Sequence, residues 1–417
     1  MELLLFSIFL LLSISANSAN IKLGSSLSAT ENSSPWLSDS GDFAFGFQQL
    51  KGQSDLFLLC IWYAKIPDKT VVWYASTDQP VPRQSKLNLT SDQGLVLTSL
   101  QGQVLWKSEP FGLGDVSQGV MSDSGSFVLQ SSSSGTLWES FQDPRDTLLP
   151  SQIIERGGLL SSRQSETNYS KGRFQLRLQQ DGNLVLNTIN LPTDFANNPY
   201  YSTSTTDGTV PGSAGKQLVF NQSGRFILVD GNIVSAKDNY LRVTLSFDGI
   251  FVQYYHPKSW NGNVSWTTSW SIPDNICKSL LVDAGAGVCG LNSICDVKSD
   301  KRPTCVCPKG YSLLDPNDVY GHCKADFIQG CKEDELSLKK DLYEVVELTN
   351  VDWPTSDYVQ LKPFNGDACK ESCLQDCMCS VAIFRDGTCW KKKLPLSNGR
   401  VDSGLNSRAF IKVRKDN

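Results

Sequence analysis

The chain has 417 residues, of which 40% are hydrophobic and 19% are charged, a composition typical of folded globular domains. Its net charge of -5 argues against a general nucleic-acid-binding protein, which needs a basic surface, so no nucleic-acid partner is predicted. Only two histidines are present, which disfavours most His-dependent catalysis and His-rich metal sites. Neither a metal nor a cofactor is predicted.

The N-terminus has the pattern of a secretory signal peptide. Residues 3–12 are an apolar block interrupted only by Ser7, and small residues follow it as far as Ala19. This block is too short to span a bilayer stably. We therefore predict a signal peptide over residues 1–19 and secretion of the chain, with an uncleaved anchor or a buried strand as the alternative.

Asn-x-Ser/Thr sequons also fit a secretory chain. In such a chain each sequon is a plausible glycan site on an exposed turn. The predicted glycosylation sites are Asn32, Asn88, Asn168, Asn221 and Asn263.

The N-terminal two-thirds of the chain repeats a short pattern, in which a polar turn precedes alternating apolar residues. Copies occur at residues 92–97, 123–129 and 181–186. Turn residues followed by such alternation are typical of hairpins, and their recurrence indicates stacked or symmetric β-sheets. Helical periodicity is nearly absent, so this part is predicted to be all-β.

Cysteine placement divides the chain in two. Cys60 stands alone in an apolar segment and is interpreted as a buried thiol, with an intermolecular disulfide as the alternative. The other cysteines lie between Cys277 and Cys389, and this density is typical of small modules stapled by disulfides. Spacing alone leaves many pairings open.

Three segments, taken in order, carry a family resemblance: GDFAFGF at 41–47, IWYAKIPDKTVVW at 61–73 and LWESFQDPRDTLLP at 137–150. With the cysteine pattern they make the chain, from about residue 20 onward, similar to the ectodomain of plant G-type lectin S-receptor-like serine/threonine kinases of the LecRK type. The resemblance implies an all-β protein with tandem bulb-type lectin β-prisms, followed by small disulfide-rich EGF-like and PAN/apple modules. The implied boundaries are 20–150 for the lectin domain, 151–272 for a second, divergent lectin-like domain, 273–324 for the EGF-like module and 325–417 for the PAN/apple module.

Each bulb-type prism is expected to have three sheets around a pseudo-threefold axis. Four tryptophans of the first lectin domain are interpreted as prism core, with sugar stacking as the alternative. They are Trp62, Trp73, Trp106 and Trp138.

The resemblance also supplies a candidate mannose site, because bulb-type lectins bind mannose through the pattern Gln-x-Asp-x-Asn-x-Val-x-Tyr. The best copy consists of Gln179, Asp181, Asn183, Val185 and Asn187, with Asn187 where the pattern has Tyr. Alternate residues of a strand share a face, so these five are expected to lie together. Carboxylate and amides would bond sugar hydroxyls while Val packs on the sugar's C–H face, unless the strand is kept for folding alone.

Two further copies of this pattern are degraded. The first aligns Thr90, Asp92, Gly94, Val96 and Thr98, and the other aligns Ser122, Ser124, Ser126, Val128 and Gln130. Working mannose binding is therefore expected at the copy around Asp181, if at any.

For the cysteine-rich part the resemblance implies a set of disulfides. They are Cys277–Cys295, Cys289–Cys305 and Cys307–Cys323 in the EGF-like module, then Cys369–Cys389 and Cys373–Cys379 in the PAN/apple module, with Cys331 and Cys377 left to pair with each other. The spacing of Cys369, Cys373 and Cys377 predicts a short helix with Asp367 as its N-cap. Residues 391–393, three lysines, are predicted to be a solvated strand edge, or else a patch for an anionic partner.

No enzymatic activity is predicted, since the sequence has no Gly-rich phosphate loop, His-Arg-Asp loop or Asp-Phe-Gly triplet. The resemblance implies a mannose-type glycan or a peptide as ligand, and cell-surface receptor kinases or a second copy of the chain as partners. It places the chain in the apoplast, although family members are plasma-membrane receptors. The leading hypothesis is an extracellular recognition module in plant defence or cell-surface signalling. The alternatives are the truncated sensor half of a receptor kinase and a non-sugar-binding dimerisation scaffold of the pollen-recognition kind.

Overall fold

The computed structural model describes residues 19–415, except for 78, 110–113, 134, 192, 206–214, 227–234, 281–286 and 329–341. The predicted signal peptide lies outside the described residues apart from its last position, and so does Cys331. The chain forms two compact units, Met1–Ile153 and Ile154–Asn417, which are described separately as unit 1 and unit 2. In the described residues of both units the regular secondary structure is almost all strand, which confirms the predicted all-β class.

The described residues of unit 1 form fourteen strands and one short 3-10 turn, Ser140–Gln142. The strands are β1 (Ala19–Lys22), β2 (Ser26–Ser28), β3 (Trp36–Leu37), β4 (Phe43–Gln49), β5 (Leu56–Tyr63), β6 (Val71–Tyr74), β7 (Val81–Pro82), β8 (Lys86–Thr90), β9 (Gly94–Thr98), β10 (Val104–Lys107), β11 (Val116–Met121), β12 (Phe127–Ser131), β13 (Thr136–Glu139) and β14 (Thr147–Leu148).

Within the described part of unit 1 the strands other than β14 form three antiparallel sheets, the number expected of a β-prism. Their orders are β1-β11-β12-β13, β10-β9-β8-β2 and β3-β4-β5-β6, with β7 paired to β5. The two-residue alternation seen in the sequence orients them. In β8 and β9, for example, Leu87, Leu89 and Leu95 are fully buried, while Lys86 on the opposite face is exposed.

Aromatic rings fill the interior of unit 1. Phe45 and Phe127, from different sheets, have ring centroids 4.5 Å apart. Trp73, Trp106 and Trp138 meet one another edge to face, with centroids 5.9 to 6.2 Å apart. Such contacts between strands distant in sequence stabilise a unit whose only cysteine among the described residues is the buried thiol of Cys60.

In the parts of unit 2 that the structure describes there are the remaining strands and two short helices. The strands are β15 (Ile153–Glu155), which begins on the last residue of unit 1, β16 (Leu159–Arg163), β17 (Lys171–Leu178), β18 (Leu184–Asn190), β19 (Phe195–Ser202), β20 (Gln217–Val219), β21 (Asn239–Leu245), β22 (Phe251–Pro257), β23 (Thr267–Ile272), β24 (Ile294–Val297), β25 (Pro303–Val306), β26 (Tyr311–Leu313), β27 (Cys323–Ala325), β28 (Tyr343–Thr349), β29 (Val351–Asp352), β30 (Asp357–Leu361), β31 (Val381–Arg385), β32 (Thr388–Lys392), β33 (Arg400–Val401) and β34 (Arg408–Arg414). The helices are α1 (Ile276–Ser279) and α2 (Gly366–Leu374).

The described part of the first half of unit 2 has the antiparallel strand orders β16-β17-β18-β19 and β21-β22-β23 and the pair β15-β20. Its cysteine-rich half has the sheets β25-β24-β33-β29 and β28-β34-β31-β32-β30 and the pair β26-β27. The first of these sheets joins the two cysteine-rich segments, because Cys295 in β24 lies beside Arg400 in β33. The two segments therefore contribute strands to one sheet and are not structurally independent modules.

Helix α2 corrects one prediction. Its N-cap is Asn365, whose side-chain oxygen accepts a hydrogen bond from the Ala368 amide at 2.8 Å, whereas Asp367 lies inside the first turn. The helix ends at Leu374, so Cys377 lies beyond it. No helix among the described residues is long and apolar enough to cross a membrane.

Candidate carbohydrate site

The first part of the candidate site is a tight turn between β17 and β18. The amide of Gln179 donates to the Asn183 carbonyl at 2.9 Å, and the amide of Gly182 donates to the Gln179 carbonyl at 3.0 Å. The Asp181 carboxylate accepts from the Asn183 amide at 3.0 Å. Gly182 has φ +83°, and a Cβ there would lie 2.7 Å from the Gly215 carbonyl oxygen, so the turn requires glycine. This turn leaves Gln179 and Asp181 exposed.

The second part of the candidate site is buried. Val185 and Asn187 lie in β18, which pairs with β17 on one side and β19 on the other, and their exposed fractions are 1% and 2%. Asn183, half-buried at the end of the turn, accepts hydrogen bonds through Oδ1 from Ser202 at 3.0 Å and Thr203 at 3.3 Å. Its amide oxygen is thus already engaged.

The five candidate residues therefore do not form the single exposed row that strand alternation predicts. Alternation begins only at Leu184, because residues 179–183 form the turn, and both faces of β18 are covered. The structure brings Gln179, Asp181 and Asn183 together at an accessible turn. Asn187 donates from Nδ2 to the Thr188 carbonyl at 3.2 Å, and its buried Oδ1 has no partner among the described residues.

The first degraded copy lies on the hairpin of β8 and β9. Asp92 is exposed at its tip, where a hydrogen bond from the Gln93 amide lowers the pKa of the Asp92 carboxyl. Val96 is 8% exposed and pairs across the strands with Asn88, the asparagine of a sequon. A glycan on Asn88 would therefore cover the strand half of this copy.

The other degraded copy, on the hairpin of β11 and β12, differs in having more accessible strand residues and serines in its turn. Its strand residues Val128 and Gln130 are half-exposed, and Gln118 donates to Gln130 Oε1 at 2.8 Å. Its turn has serines where the pattern needs an amide and a carboxylate, and the hydroxyls of Ser122 and Ser124 bond each other at 2.7 Å. No copy combines a carboxylate at the pattern's Asp position with an open strand.

The cysteine-rich half of unit 2 contains the disulfides Cys277–Cys295, Cys289–Cys305, Cys307–Cys323, Cys369–Cys389 and Cys373–Cys379. These are the five pairs that the resemblance implies. Cys377 is also disulfide-bonded, and its expected partner Cys331 lies outside the described residues. In unit 1, complete burial of Cys60 raises the pKa of its thiol far above the ordinary value, so this thiol is inert.

The prediction for the lysines at 391–393 is wrong for two of the three. Lys391 and Lys392 are 8% and 1% exposed, and only Lys393 is exposed. Lys391 forms an ion pair with Asp376, and Lys392 forms ion pairs with Asp357 and, at 3.1 Å, with Asp352. The acidic partners are distant in the sequence, so the three consecutive lysines by themselves predicted a solvated edge.

Comparison with known proteins shows which proteins the chain is similar to. A family profile described as D-mannose binding lectin matches residues 70–158. The chain is 40% identical, over 94% of its length, to the G-type lectin S-receptor-like serine/threonine-protein kinase LECRK3 of Oryza sativa subsp. indica, and 41% identical, over 97%, to RLK1 of Arabidopsis thaliana, a kinase of the same description. Over nearly its whole length the chain is thus similar to G-type lectin S-receptor-like kinases.

The chain spans about half the length of the curated relatives that it matches, 51% for both kinases. Among solved structures, the two-domain fetuin-binding lectin of Scilla campanulata matches 61% of this chain and 100% of its own, with 16% identity and a TM-score of 0.19, too low to bear on the fold. The matched profile includes both degraded copies of the mannose pattern but ends before the copy around Asp181.

Proposed function

We propose that the chain is the extracellular, ligand-sensing part of a lectin receptor-like kinase and that it binds carbohydrate. The observation that supports this most strongly is the alignment of nearly the whole chain with such kinases, together with a mannose-lectin profile in unit 1. We assign the kinase activity of those relatives to the part of each that this chain does not match. The proposed location is the apoplast, and the proposed role is recognition in defence or cell-surface signalling.

Mannose-type glycans are the proposed ligand class. At the turn around Asp181, the exposed carboxylate accepts from sugar hydroxyls, and Gln179 beside it can both donate and accept. Val185 and Asn187 are buried in β18, so they are not available to a ligand. A site with so few polar contacts binds weakly as a single copy, which favours multivalent glycans.

The test is a glycan array on the secreted, glycosylated chain, run beside Asp181→Ala. Losing a charge-assisted hydrogen bond reduces affinity by about tenfold or more, so the variant should lose mannose-type binding. Asp238→Ala is the matched control, because Asp238 is an exposed aspartate of the same unit with no side-chain contact among the described residues. Binding that survives Asp181→Ala would show that the sugar lies elsewhere.

A second function is favoured by the burial of Val185 and Asn187, which is typical of a strand kept for folding. In that case the chain is a scaffold that acts through peptides, receptor kinases or a second copy. An array on which wild type binds no glycan would support this scaffold function and overturn the proposed one.

A further inference from the structure

Unit 1 has a groove whose described lining contains no residue of the three copies of the mannose pattern, although Lys107 and Glu139 pair across strands with Val96 and Val128 of the two degraded copies. Its volume is about 460 Å³, within the range of small-molecule sites. The described residues that line it come from the end of β10, the end of β13 and the turn that follows: Trp106, Lys107, Glu109, Trp138, Glu139, Gln142 and Asp143.

The floor of this groove is aromatic and carries free donors. Trp106 is half-buried and Trp138 is 5% exposed. The indole N–H of the neighbouring Trp73 donates to the Asp143 carbonyl at 2.8 Å. Among the residues that the structure describes, the indole N–H groups of Trp106 and Trp138 have no acceptor, and neither nitrogen is fully buried. Both donors are therefore available to a ligand in the groove.

The rim of the groove carries acceptors. Glu139 accepts from the Gln142 amide through Oε1 at 3.0 Å, and its other carboxylate oxygen has no partner within the described residues. Glu109 is exposed. The charge of Asp143 is balanced by Arg145, which donates to it at 2.5 Å, and Lys107 offsets one of the two glutamates. The groove is thus close to neutral and rich in both donors and acceptors.

We propose that this groove is a second carbohydrate site, in which a neutral sugar ring packs on Trp106. The C–H face of a sugar is apolar and suits the indole, while its hydroxyls accept from the indole N–H groups and donate to Glu139 and Glu109. The inference rests on the proposed function, since it presumes a glycan-binding chain. It adds a site that the repeated sequence pattern does not predict.

A cationic side chain is the competing ligand, because indole rings and carboxylates also attract cations. The two free N–H donors argue against it, since an ammonium or guanidinium group has no acceptor to offer them. The near balance of charge at the rim argues against it as well.

The test compares wild type with Glu139→Ala and Trp106→Phe in binding to each glycan that wild type retains on the array. Trp106→Phe keeps an aromatic ring and removes the donor. We expect each variant to weaken at least one neutral glycan by about tenfold, with little dependence on salt. Asp39→Asn, at an exposed aspartate of the same unit, should change nothing. Unchanged circular dichroism and thermal midpoint establish that the variants are folded.

Three results would overturn the proposal that the groove binds carbohydrate. In the first, wild type binds glycans, Asp181→Ala abolishes all binding and both groove variants bind normally. The proposed function would then stand, and the groove would not be a carbohydrate site. If Glu139 instead controls a salt-sensitive affinity for a lysine-rich peptide, the ligand is a cation. If wild type binds no glycan, the proposed function fails together with this inference.

Discussion

Buried lysines in the cysteine-rich half of unit 2 are held by specific hydrogen bonds and ion pairs. Lys392 donates to the Trp353 carbonyl at 2.8 Å besides its two ion pairs, and Lys412, 1% exposed, donates to the Asp376 carbonyl at 3.0 Å. Burial lowers the pKa of Lys412. Charges in such positions persist only when they are paired and hydrogen-bonded, so the stability of this half depends on their partners as well as on the disulfides.

Asp376 gives a prediction about pH. Burial opposes its charged form, but hydrogen bonds from Lys391 and from Tyr358, at 2.7 Å, outweigh burial and lower the pKa of this carboxyl in the folded state. A lowered pKa stabilises the fold above the unfolded value of about 3.9, and this contribution disappears as the pH falls through the folded-state value. We therefore expect the free energy of unfolding to fall on acidification below about pH 4.

Urea unfolding over this acidic range measures the effect. Asp376→Asn should be less stable at neutral pH, because it leaves Lys391 buried without its counter-ion, and should show a flatter acid dependence. Asp296→Asn, at an exposed residue of the same unit, is the control. An unchanged acid slope in Asp376→Asn would contradict the assignment.

At the scale of elements, the sequence predicted where the hairpins lie better than it predicted which of their residues are exposed. The polar turns before residues 94, 127 and 184 lie where the repeated pattern placed them, because Gly and Asp encode turns locally. Exposure of Val185 and Asn187 could not be predicted, since it depends on whether β18 is central and on what covers each face. The same holds for the groove at Trp106, whose rim combines residues of β13 with residues near β10.

The hairpin of β8 and β9 gives a prediction about glycosylation. Asn88 lies on the outer face of this hairpin, opposite Val96, so a glycan there would shield the degraded copy around Asp92. We expect glycopeptide mapping of the secreted chain to find Asn88 occupied. In Asn88→Gln, hydroxyl-radical footprinting should show increased labelling of this face.

Asn32→Gln is the control for that experiment, because Asn32 is an exposed sequon of the same unit and is not on this hairpin. It should leave labelling of β8 and β9 unchanged. An unmodified Asn88 in the secreted chain would contradict the shielding.

At the scale of the whole molecule, the two cysteine-rich segments of unit 2 share one hydrophobic core. Trp353, fully buried, packs in a cluster that includes Ile294 and Tyr311 from the first segment and Ile383 and Ile411 from the second. Its indole N–H donates to the Ser293 carbonyl at 3.1 Å. The resemblance implied two consecutive modules, and the shared core could not be predicted because it joins residues remote in sequence.

Trp353→Ala tests the shared core. Truncating a buried tryptophan costs about 3–5 kcal/mol, and here the loss should be felt in both segments. Hydrogen exchange is expected to accelerate together in β24–β25 and in β31–β34. Val319→Ala, at an exposed position of the first segment, should have little effect. Faster exchange confined to the second segment would mean that the two fold independently.

The central claim is that this lectin-bearing chain binds carbohydrate. The most direct measurement is binding of the secreted wild-type chain to immobilised high-mannose glycans, with free mannose as competitor. The account predicts binding that free mannose displaces and that weakens in Asp181→Ala. Absence of binding to every glycan, from a chain shown to be folded and disulfide-bonded, would contradict it.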